Sequence, residues 1–156
     1  MAMRLTTLCF LLKDNEILLA MKKTGFGTGK WNGVGGKVEV GETISQAAAR
    51  ELNEEIGVRV NPEGLENAGN IKFYFPENPG FDQHMHIFLA RDWDGEPVET
   101  AEMKPQWFGF GDIPYSSMWV DDEYWLPKVL LGKKIEASFY FKGGGESFDK
   151  HEVKEI

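Results

Sequence analysis

The sequence predicts an α+β fold, with a mixed sheet and two helices in one domain that spans residues 1–156. Its length is typical of a single domain, and a composition of 42% apolar residues suffices for a substantial core. Apolar runs bounded by turn residues recur along the chain, as expected for strands. Only two stretches combine helix-forming residues with capping signals, so helices are expected to be few.

The first half of the chain predicts a hairpin, a loop and a helix. The runs "RLTTLCFLL" and "EILLAMKK" flank the turn "KDN" and form the hairpin. The stretch "TGFGTGKWNGVGG" has six glycines in thirteen residues, which indicates backbone that turns tightly or approaches another group closely. After "KVEVGE", a helix is expected from about Thr43 to Ile56, with Gly57 as its C-cap.

The second half predicts more strands, a second helix and a closing hairpin. Strand candidates are "NIKFYF", "HMHIFLA" and "PQWFGF", with "PENPG" as a turn between the first two. A helix is expected from about Asp121, with Asp121 or Asp122 as N-cap and with Pro127 in its first turns or at a kink. The runs "IEASFYFK" and "FDKHEVKEI" around "GGGES" predict the hairpin.

Charge and cysteine content restrict the partners and the compartment. The net charge of −8 argues against a nucleic-acid polymer or an anionic membrane as partner, although a divalent cation could bridge the protein to a small polyanion. The lone cysteine, Cys9, lies in an apolar strand pattern and is interpreted as core. No segment is long enough to span a bilayer. We therefore expect a cytoplasmic, monomeric protein, and His84, His86 and His151 receive no role.

The predicted first helix crowds carboxylates on one face. Glu51, Glu54 and Glu55 are spaced three and four residues apart, and such like-charge pairs cost roughly a few tenths of a kcal/mol each. They also lie near the helix C-terminus, where the helix dipole disfavours anions. One interpretation is a solvated acidic face balanced by Arg50. The other is a site for Mg²⁺ or Mn²⁺, with Arg50 as a structural clamp on one carboxylate.

The spacing of these residues decides between the two interpretations. From Gly36 to Val58 the chain reads G-x5-E-x7-R-E-L-x-E-E-x-G-V, which resembles the signature of Nudix hydrolases at every specified position. The resemblance implies an α/β/α sandwich with a mixed central sheet and a strand-loop-helix-loop catalytic element. It also implies hydrolysis of a nucleoside diphosphate linked to another moiety, with Mg²⁺ as cofactor and Mn²⁺ as an alternative.

The same resemblance assigns roles around this helix. It makes Glu51 or Glu55 the general base, without deciding between them, and it makes Glu42 a support for the loop through Arg50. Outside the signature, Glu102 in "TAEMKP" maps onto an additional metal-binding glutamate of the family. The expected metal ligands are Gly35 through its carbonyl, Glu51, Glu54, Glu55 and Glu102.

Three further stretches indicate a branch of the family. "MKKTGFGTGKWNGVGGKV", "PVETAEMKPQWF" and "IPYSSMWVDDEYWLP" resemble the 8-oxo-dGTPases among MutT-like proteins, nearly end to end. The implied reaction converts oxidised purine nucleoside triphosphates, such as 8-oxo-dGTP and 2-oxo-dATP, to monophosphate and pyrophosphate, which sanitises the nucleotide pool. The alternatives are another nucleotide substrate (a methylated or unmodified dNTP, a diadenosine polyphosphate or ADP-ribose) or a binding module without catalysis.

The resemblance also implies a base pocket. Trp119 can stack on a purine, and Asp121 and Asp122 can share a proton and so offer a donor beside an acceptor. The competing interpretation is a helix cap beside a core tryptophan. In "PENPGFDQHMHIF" this chain departs from the apolar, Met-bearing pocket wall of the branch, and Gln83 or Phe81 takes that place. The expected substrate-binding residues are Thr7, Lys22, Phe26, Asn32, Gly36, Lys37, Phe73, Gln83, Trp119, Asp121 and Asp122.

Overall fold

The computed structural model describes residues 3–156, which form eight strands and two α-helices. The strands are β1 (Arg4–Lys13), β2 (Glu16–Lys22), β3 (Trp31–Asn32), β4 (Glu66–Tyr74), β5 (Gln83–Ala90), β6 (Met103–Gly109), β7 (Ile135–Lys142) and β8 (Ser147–Glu155). The helices are α1 (Ile44–Ile56) and α2 (Asp122–Leu130). In residues 3–156, no helix is both long enough and apolar enough to cross a membrane.

The sheet is mixed, as predicted. Its strand order is β3-β2-β1-β5-β4-β7-β8, and β6 pairs with β2. The β1–β5 and β4–β7 pairs are parallel, whereas β1–β2, β2–β6, β4–β5 and β7–β8 are antiparallel. The parallel pairs bring together segments that are far apart in the chain.

Each face of the sheet carries one helix. Along β1, Phe10 packs into the cluster that contains Trp125 of α2, whereas the next residue, Leu11, packs into the cluster that contains Leu52 of α1. Successive side chains of a strand point to opposite faces, so the two helices cover opposite sides. The expected α/β/α sandwich is confirmed. Cys9 is buried on the α1 side, where burial raises the pKa of its thiol to about 12.

The ends of α1 follow the sequence prediction, but the start of α2 differs from it. Thr43 caps α1 by accepting a hydrogen bond from the Gln46 backbone N–H at 3.1 Å, and Gly57 closes the helix at φ 74°. Asp121 occupies the N-cap position of α2, yet its side chain makes no capping hydrogen bond. Pro127 lies inside α2. The predicted N-cap position is therefore confirmed at Asp121, whereas the capping hydrogen bond expected from its side chain is not formed.

Two strand boundaries differ from the sequence pattern. The short strand β3 (Trp31–Asn32) lies inside the glycine-rich stretch that was predicted to be loop throughout. Strand β4 begins at Glu66, before the predicted apolar run "NIKFYF". The sequence pattern did not indicate this earlier start, because the residues of "ENAG" do not alternate clearly between apolar and polar. At Gly69 the backbone has φ 115°, and a Cβ atom there would lie 1.8 Å from the carbonyl oxygen of Ile135. Glycine thus permits the close approach of β4 and β7.

Candidate active site

A pocket of about 350 Å³ opens beside β1, between the glycine-rich loop and the start of α2. Every predicted substrate-binding residue lines it, together with Gly35 and Glu55. The remaining predicted site residues, namely Glu42, Arg50, Glu51, Glu54 and Glu102, are not part of the pocket lining. We call the region around Glu55 the metal end. It includes four residues beside the pocket lining, namely Arg50, Glu51, Glu54 and Glu102. We call the part formed by Asn32, Gln83, Trp119, Asp121 and Asp122 the base end.

The glycine-rich loop lies along β1 and approaches other groups closely at two glycines, of which Gly35 faces backbone and Gly36 faces the Glu51 carboxylate. The Thr7 backbone N–H donates to the Gly36 carbonyl at 2.9 Å, and Val34 exchanges two backbone hydrogen bonds with Cys9 at 2.7 and 2.9 Å. A Cβ on Gly35 would lie 1.8 Å from the Thr7 carbonyl oxygen, and one on Gly36 would lie 2.5 Å from Oε1 of Glu51. The loop backbone therefore lies directly against the carboxylate helix.

Arg50 organises the carboxylates of α1. Its Nε and Nη2 donate to the two oxygens of Glu42 at 3.0 and 2.8 Å, so the expected link between Arg50 and Glu42 is present. Its Nη1 donates to Glu51 at 2.9 Å and to Glu54 at 3.1 Å, and Nη2 also donates to the Lys37 carbonyl at 3.0 Å. One guanidinium thus joins the glycine loop to three carboxylates of the signature.

Glu55 is the carboxylate of this group that faces the pocket. Its Oε2 is buried and has no hydrogen-bond partner among the described residues. Burial first, and then the charges of Glu51 and Glu102, raise the pKa of Glu55 to about 7, while Lys22 opposes the rise. Thr100 donates from Oγ1 to the Glu55 carbonyl at 3.0 Å, which ties the loop that carries Glu102 to the end of α1.

The metal end has the chemistry for a hard cation but not yet the geometry. Across residues 3–156, no three side chains of His, Cys, Asp or Glu converge as a ready metal site. Arg50 pairs with Glu51 and Glu54, and Glu54 is exposed. A buried carboxylate oxygen without a partner, beside two further carboxylates, nevertheless fits a divalent cation.

The base end contains a buried carboxyl pair. Asp121 and Asp122 are each 3% exposed. Asp121 accepts a hydrogen bond from Nε1 of Trp125 at 2.8 Å, whereas Oδ2 of Asp122 has no partner among the described residues. Burial and the neighbouring Asp121 carboxylate raise the pKa of Asp122 well above its ordinary value, which favours the protonated form of this side chain. Burial also raises the pKa of Asp121, against the bond from Trp125.

Trp119 lies between two loops and is only partly buried, unlike a core tryptophan. A Cβ on Gly27 would lie 3.1 Å from its Cζ2, and one on Gly145 would lie 2.9 Å from its Cζ3. Phe26 stands at the mouth, 61% exposed, with its ring 5.1 Å from that of Trp119. Lys30 places its Nζ 5.2 Å from the indole centroid. Glycines on both sides thus leave room for the indole.

The structure decides between Gln83 and Phe81 for the departing wall. Gln83 is the first residue of β5 and lines the pocket. Phe81 is 47% exposed and is not part of the lining; its ring faces Phe26 at 6.3 Å and lies beneath the Arg4 guanidinium at 5.6 Å. Met85 lines the pocket two residues after Gln83, so part of this wall is still methionine.

Sequence reasoning missed several lining residues. These are Arg4, Thr6, Leu8, Ala20, Gly27, Lys30, Gly33, Phe75, Met85, Met103 and Phe141. The period of two on strands would have found Phe75 and Met85, which follow the predicted Phe73 and Gln83 by two positions. Lys30 and Phe141 carry no such local signal, because they reach the pocket from a loop and from a distant strand.

Comparisons with known proteins agree on one family. The family model described as NUDIX domain matches residues 2–129. The oxidized purine nucleoside triphosphate hydrolase of zebrafish (Danio rerio) is 47% identical over 154 residues, which cover 98% of this chain and 96% of the relative. The mouse (Mus musculus) protein of the same name is 47% identical over 139 residues, covering 89% and 87% respectively.

A solved structure shows the same fold at low identity. The crystal structure of a MutT protein from Bacillus halodurans superposes with a TM-score of 0.82 at 23% identity and covers 97% of both chains. At this identity the likeness concerns the fold alone. The family match and the two vertebrate relatives reach further, because they span most of the sequence, including the carboxylate helix. This chain belongs to the Nudix hydrolase family.

Proposed function

We propose that this enzyme hydrolyses oxidised purine nucleoside triphosphates, of the 8-oxo-dGTP and 2-oxo-dATP type, to the monophosphate and pyrophosphate with Mg²⁺. Mn²⁺ is the alternative ion. The observation that carries the proposal is one pocket that has the buried Asp121–Asp122 carboxyl pair at one end and Glu55 at the other. Two relatives at 47% identity are named for this activity. Its biological role would be to keep damaged precursors away from polymerases.

The base end supports purine recognition. Burial favours the protonated form of Asp122, which would supply a hydrogen-bond donor, and Asp121, with one oxygen engaged by Trp125, would supply an acceptor. A buried pair of this kind strongly penalises a base that leaves either group unpaired. Because the carboxyls share a proton, the donor and acceptor can exchange places, which suits two different oxidised purines. Trp119 adds stacking of roughly 1–3 kcal/mol.

The metal end supports phosphate chemistry. Glu51, Glu54, Glu55 and Glu102 would hold the cation, with the Gly35 carbonyl as a further ligand. A bound divalent cation neutralises phosphate charge and lowers the pKa of an attacking water. Of the two candidate general bases, Glu55 is favoured over Glu51, because Glu55 lines the pocket whereas Glu51 lies outside the lining and is paired with Arg50. Lys22 and Lys37 line the same pocket and add positive charge near the phosphates.

Substrate comparison tests the proposal directly. We would measure kcat/KM with Mg²⁺ for 8-oxo-dGTP, 2-oxo-dATP and O6-methyl-dGTP against dGTP and dATP, on wild type and on Asp121→Ala. The expected result is a large preference for modified bases that collapses in the variant. Comparable rates on all five nucleotides, unchanged by Asp121→Ala, would remove the base-reading and sanitising roles and favour another nucleotide substrate. A binding module without catalysis would show no turnover at all.

We also infer a single domain that acts as a cytoplasmic monomer. The C-terminal hairpin lies beyond the matched family region, yet Phe139 and Phe141 of β7 pack into the larger core cluster, which supports one folding unit. The single, buried cysteine fits a reducing compartment. Light scattering after size-exclusion chromatography should give the mass of one chain, 17.7 kDa. A mass of twice that value would contradict the monomer.

A further inference from the structure

A polar pair lies in the pocket wall that β1 and β5 form. Thr6 on β1 and Gln83 on β5 both line the pocket, and Thr6 is only 8% exposed. Oγ1 of Thr6 donates to Oε1 of Gln83 at 3.3 Å. A primary amide has one acceptor oxygen and one NH₂ group. Because the hydroxyl engages the oxygen, Gln83 presents its NH₂ group as a donor.

A second amide in the same pocket is oriented in the same way. The Gly33 backbone N–H donates to Oδ1 of Asn32 at 2.8 Å. Asn32 therefore also offers its NH₂ group as a donor. The carboxyls of Asp121 and Asp122 supply an acceptor and one proton. The pocket thus combines two amide donors with a carboxyl pair, a pattern suited to a base with carbonyl oxygens beside N–H groups.

We infer that Gln83 is a specificity-determining residue whose NH₂ group donates to the carbonyl oxygen that oxidation adds to the purine, and that Thr6 is its positioning residue. The inference rests on the proposed function and deepens it. Both oxidised bases, 8-oxoguanine and 2-oxoadenine, carry one carbonyl more than the parent base. The parent base presents C–H at that position and leaves the NH₂ donor unpaired.

The surroundings of Gln83 make it energetically costly to leave its NH₂ donor unpaired. Gln83 is half-buried, and the buried residues Met85 and Phe75 line the same pocket, so a bound base without an acceptor would shield the NH₂ donor from water without pairing it. Sites that hydrogen-bond a substrate group discriminate strongly against analogues that lack it, because their own polar group is then left unsatisfied. One neutral hydrogen bond of this kind corresponds to about a tenfold effect on kcat/KM.

The test compares selectivity ratios rather than rates. We would measure kcat/KM for 8-oxo-dGTP over dGTP, and for 2-oxo-dATP over dATP, in wild type and Gln83→Met. The expected result is a fall of about tenfold in at least one ratio, from slower turnover of the oxidised substrate. Thr6→Val keeps the shape but removes the orienting hydroxyl, and we expect a smaller fall in the same ratio. Gln106→Met, on an exposed position of β6, is the matched control and should change neither ratio.

The outcomes separate this inference from the proposed function. If wild type prefers oxidised purines and both ratios survive in Gln83→Met and Thr6→Val, the inference is wrong and the proposed function stands. If wild type shows no preference for oxidised purines, both are wrong. A general loss of activity with unchanged ratios would indicate a structural role and would also overturn the inference. Should Gln83→Met fail to fold, the ratio in Thr6→Val decides.

Discussion

The base end and the metal end of the pocket share β1 but are built on opposite principles. At the base end, Asp121 and Asp122 are buried, and their positions are held by α2 and by a bond from Trp125. At the metal end, Glu51 and Glu54 are partly or fully exposed and are held by ion pairs with Arg50. Burial raises the pKa of both aspartates and so favours a shared proton at the base end. At the metal end, ion pairs with Arg50 position the carboxylates of Glu51 and Glu54.

This difference is consistent with the ligands that we propose for the two ends. A neutral purine edge is read by hydrogen bonds, which discriminate best in a dry site where unpaired groups are penalised. A phosphate and its cations carry high charge, and Mg²⁺ retains several waters, so full burial would be a disadvantage. The two ends should therefore respond independently to mutation, one in selectivity and the other in turnover.

The largest expected effect comes from Glu55→Gln, at the metal end. A neutral amide cannot accept a proton and is a poor ligand for a hard cation, so kcat should fall by about 10³-fold. The ratio of kcat/KM between oxidised and ordinary purines should persist in the residual activity. Steady-state assays with Mg²⁺ provide both values, with the exposed Glu63→Gln as control. A loss of less than tenfold would leave Glu55 without a catalytic role.

Trp119→Ala tests the base end, where we expect the substitution to weaken substrate binding rather than to slow turnover. Loss of stacking should raise KM about 10-fold to 100-fold, since base–aromatic stacking contributes roughly 1–3 kcal/mol. The Mg²⁺ concentration for half-maximal activity should not change. Trp93→Ala, which removes a tryptophan outside the pocket lining, is the control for general destabilisation. A shift in Mg²⁺ dependence in Trp119→Ala would show that the two ends are coupled, and it would contradict their expected independence.

Asp122→Asn tests whether burial holds a proton at the base end. A carboxyl with a raised folded-state pKa stabilises the protein below its unfolded pKa, near 4, and this contribution is lost as pH rises toward the folded pKa. Wild type should therefore lose stability relative to Asp122→Asn as pH increases, by about 1.4 kcal/mol per unit of pKa shift. Urea unfolding at pH 5 and pH 8 measures this, with exposed Asp112→Asn as control. An equal difference at both pH values would refute the assignment.

Arg50→Lys should have the smallest effect among these variants. A lysine cannot reproduce the paired bonds from Nε and Nη2 to Glu42, nor reach Glu51, Glu54 and Lys37 together. Because such supporting contacts orient metal ligands, the Mg²⁺ requirement should rise about tenfold while base selectivity stays constant. The measurement is activity against Mg²⁺ concentration, with exposed Arg59→Lys alongside. An unchanged Mg²⁺ requirement would mean that the ion pairs have no part in preparing the metal end.

Local patterns were enough to predict α1 and the spacing of its carboxylates. Thr43, Gly57 and the positions of Glu51, Glu54 and Glu55 follow from helix geometry, which depends only on neighbours within a few residues. The sequence also predicted that the glycine-rich loop approaches another group closely. It did not identify that group as Thr7 for Gly35 or as Glu51 for Gly36. The short strand β3 and the early start of β4 were missed, because their residues lack the alternation typical of strands.

The sequence alone was sufficient to predict the fold class and the carboxylate helix, whereas the residues of the base pocket were predicted from the resemblance to the family. The three-dimensional structure was needed to show that Gln83 rather than Phe81 lines the pocket, that Thr6 donates to Gln83, and that Oδ2 of Asp122 is buried without a hydrogen-bond partner among the described residues. Thr6 and Gln83 are separated by 77 positions and meet because β1 and β5 pair in parallel. Spacing along the chain reports neighbours on one helix or strand, whereas burial and contacts across strands depend on how the whole sheet is assembled.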